Sequence, residues 1–490
     1  MSLARRGFLG GLTGAAVGLI AGRAVRAGGI IDARVAIAHE DAGRPIPPDF
    51  LGLSYESAIL VDADYFSLEN SSVLGLIGAL GRSGVIRIGG NTSARTVWRP
   101  RGEAAAPESL AIAPRSIDGL AGVMRRLRWK LIYGLNLARG TPQAAAEEAA
   151  YVARVLGPDL LAFQIGNEPD GFGRWAAVRP PSYDARSYLV EWKKFAAAVR
   201  TRVPGSRFAG PDVAAAVDWV AAFARARPEG LSLLTCHYYA EGPAGSAGAT
   251  LEKLLHADKQ AAAMLAALAG AASTYRLPYR IVEANSVYNE GEPGVSDTLA
   301  AALWGLELLF QAAQAGAAGV NFHAGVHNSR PAEDKAYTPI ARSAGGRYSA
   351  RPLYYGMLMF AQAVRAGHLL PTRLAPANDD LRAFAVRSSD AGLRVCLINK
   401  NPSRAVRIRV DAVRRVAGAS LLRLAGPSLD ATAGITLGGA SVDELGRWAP
   451  AAEPLAPVDR ELVVSLEPAS AALLTMEASE KRSRHAMGQD

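Results

Sequence analysis

Between residues 48 and 325 short apolar runs alternate with longer segments of helical periodicity. The runs Leu51–Glu56, Val85–Gly90, Leu131–Leu137, Leu161–Asn167, Arg207–Asp212, Leu233–Tyr239, Tyr279–Asn285 and Val320–His323 read as parallel strands, with crossover helices between them. Eight such units are what a (β/α)8 TIM barrel requires. A doubly wound open sheet gives a similar alternation. However, no Gly-x-Gly-x-x-Gly turn follows the first run, and polar residues gather at the strand ends. Barrel enzymes build their chemistry there, on the C-terminal face. The pattern therefore predicts an α/β fold with a catalytic barrel over residues 48–355.

From about residue 368 the pattern changes. Leu381–Val386, Leu393–Ile398, Ala405–Val410, Ser420–Leu424 and Leu462–Leu466 are short strand-like runs set between Asn, Pro, Gly and Ser turns. They predict an antiparallel β-sandwich over 356–478 with a supporting role. Within 28–47, Arg34-Val35-Ala36-Ile37-Ala38 is placed to donate a strand to it. No internal repeat of solenoid length is visible.

The ends of the chain read differently. Arg5-Arg6 precedes a Gly- and Ala-rich apolar stretch that ends near Val25-Arg26-Ala27. This predicts a twin-arginine signal peptide over 1–27 and a periplasmic or secreted protein. The alternative is an uncleaved anchor, although the stretch is short and glycine-rich for a membrane span. The polar tail 479–490 is expected to be disordered. A net charge of +9 attracts acidic partners or reflects an Arg-rich composition. No basic run interleaved with aromatics points to nucleic acid. Cys236 and Cys396, the two cysteines, sit in apolar runs and read as buried free thiols with no metal-ligand spacing. No metal or cofactor is expected.

Two carboxylates carry the chemistry. In Gly166-Asn167-Glu168-Pro169-Asp170, Pro169 ends the fourth strand and leaves Glu168 at the barrel mouth. An acid there suits protonation of a glycosidic oxygen, with Asn167 beside it for a sugar hydroxyl. Glu283, in Val282-Glu283-Ala284-Asn285-Ser286, ends the seventh strand, across the mouth from the fourth. Buried in a strand covered on both faces, it must be paired, hydrogen-bonded or functional. His237-Tyr238-Tyr239 ends strand six. A tyrosine hydroxyl donated to Glu283 would keep it ionised, with His237 supporting that tyrosine; the alternative is a satisfied core pair. Glu56, Arg87 and Asn91 add polar groups at the same face, or Arg87 and Glu56 neutralise each other. The turn from Val287 to Asp297 precedes a helix reaching about Ala315, with Ser296 or Asp297 as its cap. It is either an anion site at a helix N-terminus or an ordinary capped turn whose Glu290 and Glu292 would repel an anion.

Arg87-Ile88-Gly89-Gly90-Asn91, Gly166-Asn167-Glu168-Pro169-Asp170, Val282-Glu283-Ala284-Asn285-Ser286 and Gly294-Val295-Ser296-Asp297-Thr298, in that order, resemble glycoside hydrolase family 79. That family includes bacterial β-glucuronidases and the heparanases. The resemblance spans about residues 30–478. It implies a barrel with a sandwich that takes in an N-terminal strand, and metal-free hydrolysis of β-linked glucuronic acid with retention. It matches Glu168 to the acid/base and Glu283 to the nucleophile. Tyr288, Gly291, Gly294 and Tyr337 match the part that holds the uronate carboxylate, and Glu56 and Asn167 match positions that contact sugar hydroxyls. The other readings are a retaining glycosidase for a neutral β-xyloside or β-glucoside, and a non-catalytic carbohydrate-binding protein.

Overall fold

The computed structural model describes residues 30–478 except 102–105, 107, 257, 327, 329–332, 343–345, 389–391, 412–415 and 457–460. The expected signal segment and the C-terminal tail lie outside the described residues. Eight parallel strands close into a barrel in sequence order. They are β1 (Leu51–Glu56), β2 (Val85–Gly89), β3 (Lys130–Leu135), β4 (Leu160–Ile165), β5 (Phe208–Val213), β6 (Leu231–Glu241), β7 (Tyr279–Val287) and β8 (Val320–Ala324). Among the described residues no helix is long and apolar enough to cross a membrane.

The barrel interior is layered. Val85, Ile132, Ala162, Ala209, Leu233 and Val282 form an apolar plug, one from each of six strands. Above it, at the C-terminal ends, the inward side chains become polar: Ser54, Arg87, Gln164, Thr235 and Glu283 are all buried. Two irregularities decide which carboxylates join this layer. Between β6 and β7 the register slips at Cys236/His237, leaving Val282 as an extra residue. Between β5 and β6 a slip at Thr235/Cys236 leaves Asp212 extra. An added residue breaks the two-residue alternation and re-aims the side chains beside it, and so Glu283 and Asp212 both face the mouth.

The expected sandwich region forms two further sheets. One runs through Arg44–Pro45, His368–Leu370, Leu381–Arg387, Leu393–Asn399, Ser470–Ala478, Val416–Ala425 and Thr436–Leu437; the other through Thr372–Ala375, Ile31–Ile37, Val406–Asp411 and Glu461–Leu466. Val35, Leu397, Ile408, Val464 and Leu474 share a core. All neighbours are antiparallel except Ile31–Ile37 with Val406–Asp411, which run parallel. Helix Pro352–Val364 continues across position 355, where the sequence pattern placed the end of the barrel. The sheets are fastened to helix Leu299–Ala315 by Phe310 stacked on Phe384 at 4.5 Å. Glu307 adds ion pairs to Arg382 (2.5 Å) and Lys400 (2.8 Å). Both cysteines are buried free thiols.

Candidate active site

Glu168 owes its place to its neighbours. β4 ends at Ile165, and Glu168 adopts a left-handed backbone (φ 47°, ψ 53°) before the turn Pro169–Gly171. Such a conformation costs about 1–3 kcal/mol for a residue with a Cβ and needs outside support. The Glu168 N–H donates to the Asp212 carbonyl at 2.9 Å. Asp170 accepts from the amides of Ala214, Ala215 and Ala216. The Asn-Glu-Pro-Asp segment is thus tied to the end of β5 on both sides of the glutamate.

Glu283 sits in a cage of donors. Arg87 Nη1 reaches Oε2 at 2.6 Å, while the Tyr239 hydroxyl (2.9 Å) and His323 Nδ1 (2.9 Å) meet Oε1. Arg87 also donates to Asp212 Oδ2 (2.6 Å), Asn167 Oδ1 (2.7 Å) and Gln164 Oε1 (3.0 Å), so one buried guanidinium sets four side chains. A Cβ on Gly89 would lie 2.4 Å from the Arg87 guanidinium carbon, and one on Gly90 2.3 Å from Glu56 Oε2. The glycine pair is what lets both groups lie flat against the strand end. His237 bridges Glu168 Oε1 through Nδ1 and Asp212 Oδ1 through Nε2, each at 3.0 Å.

One oxygen of Glu168, one of Glu283 and a His237 nitrogen all lie within 4.8 Å of one another. Retaining glycosidases place their carboxyls about 5–5.5 Å apart and inverting ones about 6.5–9.5 Å. The surroundings push the two acids in opposite directions. Burial raises the Glu168 carboxyl above its ordinary value, and the nearby Glu283 charge adds to this against the pull of His237. Burial would raise Glu283 too, but the His323 and His237 rings and Arg87 hold it well below the usual carboxylate range. Two carboxyls driven apart in this way supply one proton donor and one ionised nucleophile at the same pH. The pair with His237 also has the residue types of a metal site. Both His237 nitrogens are already engaged by carboxylates, Nδ1 with Glu168 and Nε2 with Asp212; burial lowers its pKa, yet Glu283 and Asp212 raise it well above the ordinary imidazole range.

Beside Glu283 lies a second cluster. Glu56 accepts from the Thr92 amide (2.8 Å) and hydroxyl (2.7 Å) through Oε2, and from Asn328 Nδ2 (2.9 Å) through Oε1. Lys335, buried, stands 2.9 Å from His323 Nε2, 3.5 Å from Glu56 and 3.7 Å from Glu290. The Tyr239 ring has Tyr337 at 6.1 Å and Tyr288 at 6.4 Å, which brings three tyrosines together next to Glu283. Gly291 has φ +84°, and a Cβ there would come within 2.7 Å of the Tyr337 nitrogen; the turn needs a glycine to approach this loop.

Several expectations are corrected. His237 supports Glu168, not a tyrosine. Tyr238 points to the other strand face, as alternation requires, into the apolar layer beneath the helices. Arg87 pairs with Asp212 and Glu283, and Glu56 with Lys335. The helix Leu299–Ala315 begins at Thr298, whose side chain makes no capping bond. Asp297 instead accepts from the Gly294 amide at 2.7 Å, so that amide is not free for a substrate. Ser296 bonds Ser286 and the Glu292 amide. Glu292 turns away to the Gly245 amide, while Glu290 faces Lys335. Asn91 is exposed and accepts from Asn167 Nδ2 at 3.1 Å. Asp212, His323, Lys335 and Gln164 were not singled out from sequence.

A closed barrel with paired, oppositely tuned glutamates just after β4 and on β7 has the layout of a double-displacement glycosidase. No family model matches the chain. It is similar to a β-glucuronidase of Aspergillus niger, 26% identical over 403 residues, 74% of this chain and 73% of that protein. A β-glucuronidase of Neurospora crassa is 28% identical over 318 residues, 56% of this chain and 55% of its own length. Among solved structures, a 4-O-α-L-rhamnosyl-β-D-glucuronidase from Fusarium oxysporum superposes with TM-score 0.74 at 19% identity, over 91% of this chain and 100% of that one. The GH51 arabinofuranosidase from Xanthomonas axonopodis gives 0.63 at 14% identity, over 91% and 100%. These superpositions establish the fold.

Proposed function

We propose that the chain is a retaining β-glucuronidase of the glycoside hydrolase family 79 type, acting outside the cytoplasm after export on its twin-arginine segment. The observation that carries the chemistry is the Glu168–Glu283 pair, close together and shifted in opposite directions. The similarity to fungal β-glucuronidases supports the choice of sugar. Glu283 attacks the anomeric carbon while protonated Glu168 gives its proton to the leaving oxygen, and an ester forms on Glu283. Glu168, now a carboxylate, takes a proton from water, which displaces Glu283 and releases glucuronic acid with its configuration retained. His237 and Asp212 hold Glu168; Arg87, Tyr239 and His323 hold Glu283. Tyr288, Tyr337 and the Gly291 turn flank the sugar's carboxylate. On the Glu168 side a cleft of about 270 Å³, lined by Arg95, Arg139, Asn167 and Trp175 among others, takes the leaving group.

Glu290 places negative charge near the carboxylate position and favours the second reading, a neutral sugar; its pairing with Lys335 offsets that charge. A panel of 4-nitrophenyl glycosides separates the two. The β-glucuronide should have the highest kcat/KM. Faster cleavage of the β-xyloside or β-glucoside would overturn the uronate assignment.

A further inference from the structure

His323 touches the nucleophile with one nitrogen and a buried lysine with the other, and both contacts constrain where its proton sits. Lys335 Nζ lies 2.9 Å from Nε2. An ammonium has three donors and no acceptor, so Nε2 must present a lone pair, since an N–H there would meet another N–H. Across the ring, Nδ1 stands 2.9 Å from Glu283 Oε1 and 3.1 Å from the Tyr239 hydroxyl. A bare Nδ1 would set a lone pair against a carboxylate oxygen, so Nδ1 must carry the proton. Glu56 Oε1 is the other group near Nε2, at 3.7 Å, too far to accept a hydrogen bond from it. The two contacts, made through opposite sides of the ring, demand the same tautomer.

We propose that Lys335 is a positioning residue: it fixes His323 as the Nδ1–H tautomer and thereby supplies the second hydrogen bond to Glu283 Oε1. This rests on the reading of Glu283 as nucleophile. The second nitrogen of a histidine, through its own hydrogen bond, decides what the first can do. Here Lys335 accomplishes that from the loop after β8. Its charge is held in place by Glu56 and Glu290, and the Tyr337 ring lies 5.8 Å from Nζ. The groups facing the Glu283 carboxylate are Arg87 from β2, Glu168 just after β4, His237 and Tyr239 from β6, and His323 from β8. Lys335 acts on it only through the imidazole.

The test is the tautomer itself. Full-length protein labelled with 15N-histidine gives long-range 1H–15N correlations, with His323 assigned by its loss in His323→Gln. The wild-type ring should show a protonated Nδ1 and a bare Nε2. A proton on Nε2, or on both nitrogens, overturns the proposal. In Lys335→Met nothing keeps a proton off Nε2, while Glu283 still holds one on Nδ1, so the ring should take up a second proton. The acid limb of kcat/KM should then move to lower pH, because an imidazolium in place of a neutral ring favours ionised Glu283, with kcat down about tenfold or more. If Lys335→Met raises KM alone and leaves tautomer and acid limb as in wild type, Lys335 is a substrate-binding cation and the proposal fails. If glucuronides are not turned over, the proposed substrate is wrong, yet the wild-type spectrum still reads the tautomer.

Discussion

Replacing Tyr239 by Phe removes one oxygen and, with it, the hydrogen bond to Glu283 Oε1 at 2.9 Å. The ring remains to pack between Tyr288 and Tyr337. A hydrogen bond to a charged group contributes about 1.5–3 kcal/mol. At 1.36 kcal/mol per pH unit, its loss should raise the Glu283 carboxyl by about 1–2 units. Arg87 and His323 still hold the carboxylate, so it remains ionised at neutral pH and activity is reduced, not abolished. The assay is the pH profile of kcat/KM on 4-nitrophenyl β-glucuronide. Its acid limb reports the nucleophile, which must be ionised, and its basic limb the acid Glu168, which must be protonated. Tyr239→Phe should shift the acid limb upward by about 1–2 units and leave the basic limb in place. An unmoved acid limb, or a shift confined to the basic limb, would refute the claim that Tyr239 acts on Glu283.

Two further outcomes are expected from other parts of the molecule. Glu168→Ala should hydrolyse an activated aryl glucuronide slowly, and added azide should speed it and yield the β-glucuronyl azide, because attack then comes on the face opposite Glu283; an α-azide would reverse the two roles. Glu148 is buried on helix Pro142–Leu156 with the Tyr133 hydroxyl 2.6 Å from Oε1, and burial pushes its carboxyl up to about 7. A carboxyl that titrates near about 4.3 when unfolded then holds its proton more tightly when folded, so stability declines as pH rises from about 4.3 to about 7 and is level above, by about 4 kcal/mol in all. Glu148→Gln should therefore raise Tm at pH 8 and give little gain at pH 4.5. A gain equal at both pH values would contradict that linkage.

The barrel was legible because parallel strands buried on both faces are written as apolar runs, and all eight runs became strands. The two glutamates were legible for a related reason, as charged residues ending such runs. The supporting residues were harder to see. Asp212 faces inward only because it is the extra residue at a register slip, which no alternation rule foresees. His323 follows Asn321 in a strand that is otherwise apolar, a pattern that satisfied core residues would share. Lys335 comes from the loop after β8, a segment without periodicity, and its partners Glu56 and Glu290 lie 279 and 45 positions earlier in the chain. The cap of helix Leu299–Ala315 was misread because Ser296 and Asp297 both have side chains suited to capping, yet both spend them inside the preceding turn. That turn shows how far sequence reaches: its place next to Glu283 was legible, but not which of its amides were already taken.

The central claim is that Glu283 becomes covalently bound to the sugar. A 2-deoxy-2-fluoro-β-glucuronyl fluoride, which slows release of the ester more than its formation, should inactivate the enzyme with one sugar bound per chain. Peptide mapping by mass spectrometry should find that sugar on Glu283, and Glu283→Gln should not be labelled. A label on Glu168, or hydrolysis that proceeds with inversion and no labelled peptide, would contradict the account.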